Sequence, residues 1–163
     1  MFDFIVLEGT DTAGKSALAK RLSEKLGAEL FHFGPPTGDA SEHFAPVFES
    51  VLNGNEVVCD RFILGERIYA SVKGTESKWR PGAYDDALSM MNELRATLII
   101  VHEDEETLRR RHAELGETFV TPDEMIEVQR LFLEEAQRIA LTHPKITVLL
   151  YQPTKNLMNP LGL

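Results

Sequence analysis

The stretch Gly9-Thr10-Asp11-Thr12-Ala13-Gly14-Lys15-Ser16 decides the fold of this chain. Two glycines separated by four residues, followed directly by Lys and Ser, match the P-loop pattern. An apolar run at residues 4–7 leads into the stretch, and residues 15–26 continue from it with leucines at helical spacing. Glycines at these two positions permit a tight turn and let backbone N–H groups face a phosphate chain. The alternative is an ordinary strand-to-helix turn with a solvated lysine.

The P-loop pattern predicts ATP and Mg²⁺ as cofactors. Lys15 is placed to neutralise the β- and γ-phosphates, and the Ser16 hydroxyl is placed to ligate Mg²⁺. The start of the following helix adds partial positive charge at the same point. The residues predicted to contact the nucleotide are Gly9, Thr12, Ala13, Gly14, Lys15, Ser16 and Ala17.

The rest of the chain alternates short apolar runs with segments of helical periodicity. The predicted strands after the first are residues 29–33, 57–59, 97–101 and 145–150. The predicted helices after the first are residues 41–52, 62–71, 84–94, 105–115 and 122–141, and the tail after residue 152 is expected to be irregular. We therefore predict an α/β fold, a P-loop three-layer sandwich with a buried five-stranded parallel sheet and helices on both faces. Residues 1–163 are expected to form a single kinase domain.

The composition excludes several classes of partner and site. The 163 residues carry a net charge of −9, which argues against a stable nucleic-acid partner because a phosphate backbone requires a basic face. The single cysteine, Cys59, allows neither an intrachain disulfide nor a cysteine-based zinc site. No signal sequence or membrane span is apparent. We expect a cytoplasmic protein, in the host cytoplasm if its source is viral, that acts on a small nucleotide.

A second motif, Asp60-Arg61, follows the third predicted strand. An acid at the end of a strand next to a P-loop can hold the metal or accept the proton of an acceptor hydroxyl. The adjacent guanidinium can bind the phosphate of an acceptor, because its fork of donors matches phosphate geometry. The alternative is an ordinary surface ion pair.

The segment 7–16, together with Asp60-Arg61-Phe62, resembles the thymidylate kinase family of nucleoside monophosphate kinases. In that family the Asp-Arg-aromatic motif is followed by a Ser and then by Ala-Tyr. Here Gly65 stands at the Ser position and Ile68-Tyr69 at the Ala-Tyr position, so the tyrosine matches and the other two residues do not. Segments 32–36 and 60–67 most resemble the small viral members.

The resemblance implies roles for individual residues. Asp11 would contact the 3′-hydroxyl of the acceptor sugar, Asp60 would serve the metal and the acceptor phosphate, and Arg61 would bind that phosphate. Phe33 or Phe62 would lie near the base, although core packing is an equal alternative for both phenylalanines. The remaining predicted substrate-binding residues are Tyr69 and Arg80, and Arg80 can equally be an ordinary loop arginine.

Arg109-Arg110-Arg111 lies on the predicted helix after the fourth strand. Three consecutive arginines on a helix point in different directions, so at most two can serve one site. In the family, arginines in this region belong to a lid that closes over ATP and stabilises charge on the transferred phosphoryl group. We therefore predict a lid at approximately residues 109–121, with Arg110 and Arg111 as the catalytic arginines beside Lys15, Asp60 and Arg61. The alternative is a solvated helix face paired with nearby glutamates.

The sequence thus predicts ATP- and Mg²⁺-dependent phosphoryl transfer to a deoxynucleoside monophosphate, with dTMP as the first choice. The alternatives left open are a deoxynucleoside kinase, a kinase of another nucleoside monophosphate or of a modified base in DNA, and a nucleotide-binding regulatory module without turnover. A GTP-dependent switch protein is disfavoured because residues 153–156 do not supply the Asn-Lys-x-Asp motif for guanine. A homodimer is possible.

Overall fold

Strands and helices alternate along most of the chain in the computed structural model, which describes residues 3–116 and 118–160. The strands are β1 (Phe4–Glu8), β2 (Glu29–His32), β3 (Val57–Asp60), β4 (Thr97–Val101), β5 (Thr147–Gln152) and β6 (Leu157–Pro160). The helices are α1 (Lys15–Leu26), α2 (Ala40–Leu52), α3 (Leu64–Lys73), α4 (Ala83–Glu93), α5 (Glu105–Leu115) and α6 (Pro122–Thr142), with one turn of 3-10 helix at Pro153–Lys155. Glu117, within the predicted lid, lies outside the described residues.

The strands form one sheet in the order β2-β3-β1-β4-β5-β6. Strands β1 to β5 are parallel, and β6 pairs antiparallel with β5. The predicted α/β class and the parallel sheet are confirmed, with a sixth strand added. The expectation of an irregular tail was wrong because Asn156, at φ 45°, reverses the chain after the 3-10 turn. Asparagine tolerates this left-handed conformation better than most residues.

Burial differs between the centre and the edge of the sheet. Strands β1, β3 and β4 are buried along their whole length, as expected for parallel strands covered on both faces. Strand β2 was also predicted to be buried, and this was wrong: three of its four residues are exposed and one is half-buried. It lies at the sheet edge with one neighbour, and its sequence begins with Glu29 and ends with His32.

The two faces of the sheet bury different sets of side chains because successive residues of a strand point to opposite faces. Phe4 and Val6 of β1 pack in the larger core with residues of α2, α3, α4 and α6. Ile5 and Leu7 pack on the other face against α1. Each large apolar side chain fully buried in these cores stabilises the fold by about 1.5–3 kcal/mol. Helices therefore cover both faces, as the three-layer prediction requires.

Local signals in the sequence set the start of the longest helix. Thr121 is the N-cap of α6, its side chain accepts a hydrogen bond from the Glu124 N–H, and the Glu124 carboxylate accepts one from the Thr121 N–H. This capping box, with Pro122 at the first helical position, confirms the predicted start. No described helix combines the length and apolar character that crossing a bilayer requires.

Candidate active site

The loop between β1 and α1 has the backbone geometry that its glycines predict. Gly9 has φ 143°, and a Cβ atom there would lie 2.2 Å from the carbonyl oxygen of Val101 in β4. Gly14 is the N-cap of α1 at φ 98° and provides no side chain to cap the helix. The first N–H groups of α1 are therefore left without a capping side chain, the arrangement in which a helix N-terminus binds phosphate.

Lys15 lies at the centre of this loop. Its side chain is buried, and its Nζ donates a hydrogen bond of 2.6 Å to the carbonyl oxygen of Thr10. Burial, with a smaller contribution from the nearby Arg61 guanidinium, lowers the pKa of Lys15 to about 8. A buried cation at a helix N-terminus, with its charge incompletely compensated, favours binding of an anion such as the phosphate chain of ATP.

Ser16 and Asp60 meet beside the loop. The Ser16 hydroxyl donates a hydrogen bond of 2.6 Å to Oδ2 of Asp60, and Oδ1 of Asp60 is buried without a partner among residues 3–116 and 118–160. Hydroxyl and carboxylate oxygens are the hard donors that Mg²⁺ prefers, so this pair fits the predicted metal. The described residues contain no group of three or more His, Cys, Asp or Glu side chains placed to bind a metal. Two protein oxygens suit a metal that takes its other ligands from phosphates and water.

His32 also contacts Asp60, a contact that sequence reasoning missed. Its Nδ1 lies 2.8 Å from Oδ2 of Asp60. The cause is the parallel register of β2 and β3, which places the two residues side by side at the carboxyl end of the sheet. The signal in the sequence was a polar residue at the end of each of two strands, and it becomes informative only once the two strands are known to be neighbours.

Arg61, Asp11 and Tyr69 form one wall of the site. The Arg61 guanidinium forms an ion pair with the Asp11 carboxylate, and the Asp11 N–H donates to the Tyr69 hydroxyl at 3.2 Å. Burial first, and then the Asp11 charge, raise the pKa of the Tyr69 hydroxyl to about 12. Arg61 has φ 67°, a left-handed conformation that is strained for this residue type. The structure therefore brings these three predicted residues together.

Glu8 holds the backbone of this wall, and sequence reasoning gave it no role. Its Oε1 accepts hydrogen bonds of 2.9, 2.8 and 2.9 Å from the N–H groups of Phe62, Ile63 and Leu64. The side chain is completely buried, and burial raises the pKa of its carboxyl group, opposed in part by these three hydrogen bonds. A carboxylate at this position satisfies the free N–H groups at the start of α3. An acid directly after an apolar strand was the available signal.

The three arginines of α5 have different surroundings. Arg111 donates from Nη1 to the carbonyl oxygen of Thr12 at 2.7 Å, and its Nη2 lies 3.6 Å from Oε1 of Glu103. Arg109 instead forms surface ion pairs with Glu105 and Asp123. Arg110 is exposed and has no hydrogen bond or ion pair within the described part of the chain. Of the two predicted lid arginines, only Arg111 contacts the P-loop in this conformation.

Glu103 is a second buried acid that the sequence did not single out. Its carboxylate accepts hydrogen bonds from the Thr154 N–H at 2.8 Å and the Thr154 hydroxyl at 2.6 Å. It therefore connects the segment after β5 to Arg111 of the predicted lid. The neighbouring Pro153 lies close enough that a Cβ atom on Gly14 would be 3.5 Å from its ring. The segment after β5 and the predicted lid at Arg111 thus both lie against the P-loop.

A cavity of about 390 Å³ begins at Asp11 and Arg61 and extends away from the P-loop. Phe33, Phe62 and Tyr69 line it, so both phenylalanines reach the predicted base side. Phe62 is at the same time part of the larger core, at 3% exposure. Arg80 is not among the lining residues; it is exposed and forms an ion pair with Asp86.

No protein-family model matches this chain. A probable thymidylate kinase from Methanococcus vannielii is 28% identical to it over 167 aligned positions, which cover 86% of this chain and 79% of that protein.

Solved structures have a similar fold. The YorR protein of Bacillus subtilis, in complex with phosphorylated GDP, matches with a TM-score of 0.67 and 18% identity over 93% of this chain and 86% of that one. Deoxyadenosine kinase from M. mycoides with bound dCTP matches with a TM-score of 0.55 and 18% identity over 88% of each chain. Thymidylate kinase from Ehrlichia chaffeensis matches with a TM-score of 0.53 and 20% identity over 90% of this chain and 86% of that one.

The sheet order, the phosphate-binding loop and these neighbours define the chain as having a P-loop kinase fold. Within that class it is similar to thymidylate kinase, which confirms the family resemblance predicted from residues 7–16 and 60–62. The curated relative supports the predicted enzyme class, a nucleoside monophosphate kinase.

Proposed function

We propose that this chain transfers a phosphoryl group from ATP, with Mg²⁺, to a deoxynucleoside monophosphate, with dTMP among its acceptors. The observation that carries the proposal is the convergence of Lys15, the Ser16–Asp60 pair and Arg61, of which Arg61 lines the adjoining cavity. The P-loop provides for the donor phosphates, and the cavity provides space for an acceptor. The name of the curated relative supports dTMP as an acceptor.

Each residue has a physical task in this proposal. Lys15 and the N–H groups at the start of α1 bind the ATP phosphates by charge and hydrogen bonds. Ser16 and Asp60 would hold Mg²⁺, which supplies neutralisation of charge on the phosphates when it is bound. Arg61 binds the acceptor phosphate with its guanidinium fork, and Asp11 beside it orients that fork and reaches the acceptor sugar.

In this proposal, helix α5 of the predicted lid provides the arginine that stabilises charge on the transferred phosphoryl group. Arg111 donates to the Thr12 carbonyl, so its guanidinium already lies beside the loop that binds the phosphate chain of ATP in this proposal. No covalent intermediate is needed, because positioning and charge neutralisation account for most catalysis of phosphoryl transfer. The single-domain organisation, the lid at residues 109–121 and the homodimer stay predictions.

ATP consumption in the presence of Mg²⁺, measured against deoxynucleoside monophosphates and the matching nucleosides, tests the proposal. Turnover with at least one monophosphate, including dTMP, and none with nucleosides is the expected result. Turnover with nucleosides alone contradicts the role of Arg61 as a phosphate-binding residue. ATP binding without turnover of any acceptor favours a nucleotide-binding regulatory module instead.

A further inference from the structure

The cavity contains a fixed carboxylate to which neither the fold nor the family resemblance gives a role. Glu66 lies in the first turn of α3 and lines the cavity together with Arg61 and Tyr69. Its side chain is half-buried. Arg61 and Asp11 mark the phosphate end of the cavity beside the P-loop, whereas Glu66 is hydrogen-bonded to Lys78, next to Trp79 in the cavity lining, which is the part left for the base of an acceptor.

Glu66 is held in place by the loop between α3 and α4. Its Oε1 accepts a hydrogen bond of 2.6 Å from the Lys78 N–H, in the loop between α3 and α4. Within residues 3–116 and 118–160, Oε2 has no hydrogen-bond partner. A carboxylate with one oxygen anchored and the other free is a positioned acceptor for a donor on the ligand.

The walls around Glu66 suit a flat base. The His43 ring lies 4.1 Å from the Phe33 ring and 5.2 Å from the Trp79 ring, measured between centroids, and all three side chains line the cavity. Aromatic walls with a few positioned polar groups are typical of pockets for heterocycles. Gly65, beside Glu66, has only a Tyr69 ring carbon at 4.0 Å from the place of a Cβ atom, so the neighbouring space is open.

His43 adds a second acceptor to this end of the cavity. Its Nε2 lies 2.8 Å from the carbonyl oxygen of Phe62, and because a carbonyl only accepts, Nε2 carries the proton. Burial lowers the pKa of His43, so the ring stays neutral near pH 7 and Nδ1 is an acceptor. The cations that also line the cavity, Lys73 and Lys78, are partly engaged: Lys73 pairs with Glu124 at 2.8 Å, and Lys78 donates to the Pro36 carbonyl at 3.5 Å.

We propose that Glu66 reads the base of the acceptor and favours bases that carry an exocyclic amino group over thymine. Adenine, cytosine and guanine each present an NH₂ group as a donor to the carboxylate. Thymine presents one N–H between two carbonyl oxygens, and both oxygens repel a carboxylate that approaches that edge. The inference rests on the proposed phosphoryl transfer to a deoxynucleoside monophosphate, but not on dTMP being its preferred acceptor.

Paired acceptors that differ at the amino group give the sharpest test. dGMP and dIMP differ only by the presence of NH₂, whereas dCMP and dUMP differ by NH₂ against a carbonyl oxygen and also by an acceptor nitrogen against an N–H at N3. We expect the wild-type kcat/KM to favour the amino member by about 10- to 100-fold in any pair that is turned over, as expected for a hydrogen bond to a charged group. The dTMP value is expected to lie with the dUMP value.

The variant Glu66→Gln separates base reading from a general effect on the enzyme. A glutamine amide both donates and accepts, so the ratio of kcat/KM for dCMP over dTMP should fall at least about tenfold while the KM for ATP is unchanged. Glu49→Gln makes the same change of charge on an exposed face of α2 and should leave the ratio unaltered. Thermal unfolding of both variants shows whether the fold is retained.

These experiments distinguish failure of the proposed role of Glu66 from failure of the proposed kinase activity. A wild-type preference for dTMP over every amino-bearing acceptor, or a ratio that Glu66→Gln does not move, overturns the role of Glu66 and leaves the kinase proposal standing. Absence of turnover with all these monophosphates, by a folded protein that binds ATP, overturns both proposals together.

Discussion

The Ser16 hydroxyl donates a hydrogen bond of 2.6 Å to Oδ2 of Asp60, joining the first turn of α1 to the end of β3 across 44 residues of sequence. The two residues approach because β1 and β3 are adjacent parallel strands with Leu7 in register with Asp60. Parallel strands present their carboxyl ends at one edge of a sheet, so the loops that follow them form one site. The donor side and the acceptor side of the proposed reaction meet at this hydrogen bond.

Replacement of Lys15 by alanine is expected to lower kcat/KM by a factor of about 100 to 1,000 or more, because a buried cation beside the transferred phosphoryl group is removed. Steady-state kinetics with ATP and the best acceptor measures the effect. Lys20→Ala, on an exposed face of the same helix, is the control and should retain activity. Activity near that of the wild type in Lys15→Ala would contradict the assignment of the P-loop.

Replacement of Arg61 by alanine should raise the KM for the acceptor and lower kcat, while the affinity for ATP changes little. The guanidinium lies at the entrance of the acceptor cavity and is oriented by Asp11, so its loss removes the phosphate contact of the acceptor alone. Separate titrations of ATP and acceptor distinguish the two effects. Arg130→Ala, which removes a surface arginine of α6 paired with Glu127 and Glu134, should leave both constants unchanged.

Arg111 and Arg110 are expected to differ strongly in their effect on catalysis. Arg111 contacts the P-loop carbonyl of Thr12, whereas Arg110 is exposed. Arg111→Ala should lower kcat at least about tenfold, consistent with the loss of a charged contact to the phosphates, and Arg110→Ala should have little effect. An equal loss in the two variants would mean that closure of the lid rotates α5 and brings Arg110 into the site.

Replacement of Glu8 by alanine should destabilise the fold by roughly 3 kcal/mol or more, because three N–H groups at the start of α3 lose their acceptor. Glu8→Gln keeps an acceptor oxygen of similar shape and should cost less. Urea unfolding at pH 7 measures both variants. Equal stability of Glu8→Ala and the wild type would show that water replaces the carboxylate at this position.

The same residue predicts a dependence of stability on pH. Burial raises the pKa of the Glu8 carboxyl in the folded chain above its ordinary value of 4.5. Between pH 4.5 and the raised pKa of the folded chain, the folded state binds more protons than the unfolded state. The free energy of unfolding therefore falls as pH rises through this window. The wild type should therefore lose stability relative to Glu8→Gln from about pH 4.5 upward. A difference between the two proteins that is independent of pH would contradict the raised pKa.

Much of the fold was predictable because its signals are local. The apolar runs gave β4 at its observed bounds, and the capping residues gave the start of α6. Strand β2 and the tail were less predictable, because neither burial at a sheet edge nor pairing of β6 with β5 is encoded in a short stretch of residues. Both depend on which strands become neighbours.

The sequence by itself determined the phosphate-binding loop, since the glycines, Lys15 and Ser16 act through backbone geometry and charge within eight residues. It also placed Asp60 and Arg61 at the end of a strand. Only the tertiary structure decided which distant side chains join them. Glu8 and His32 reach the site through strand order and register, and Arg111 faces the P-loop because Leu108 is buried and fixes the rotation of α5. Consecutive helical residues point about 100° apart, so residues three apart share a face. The packing of Leu108 therefore turns Arg111, rather than Arg109 or Arg110, toward the P-loop.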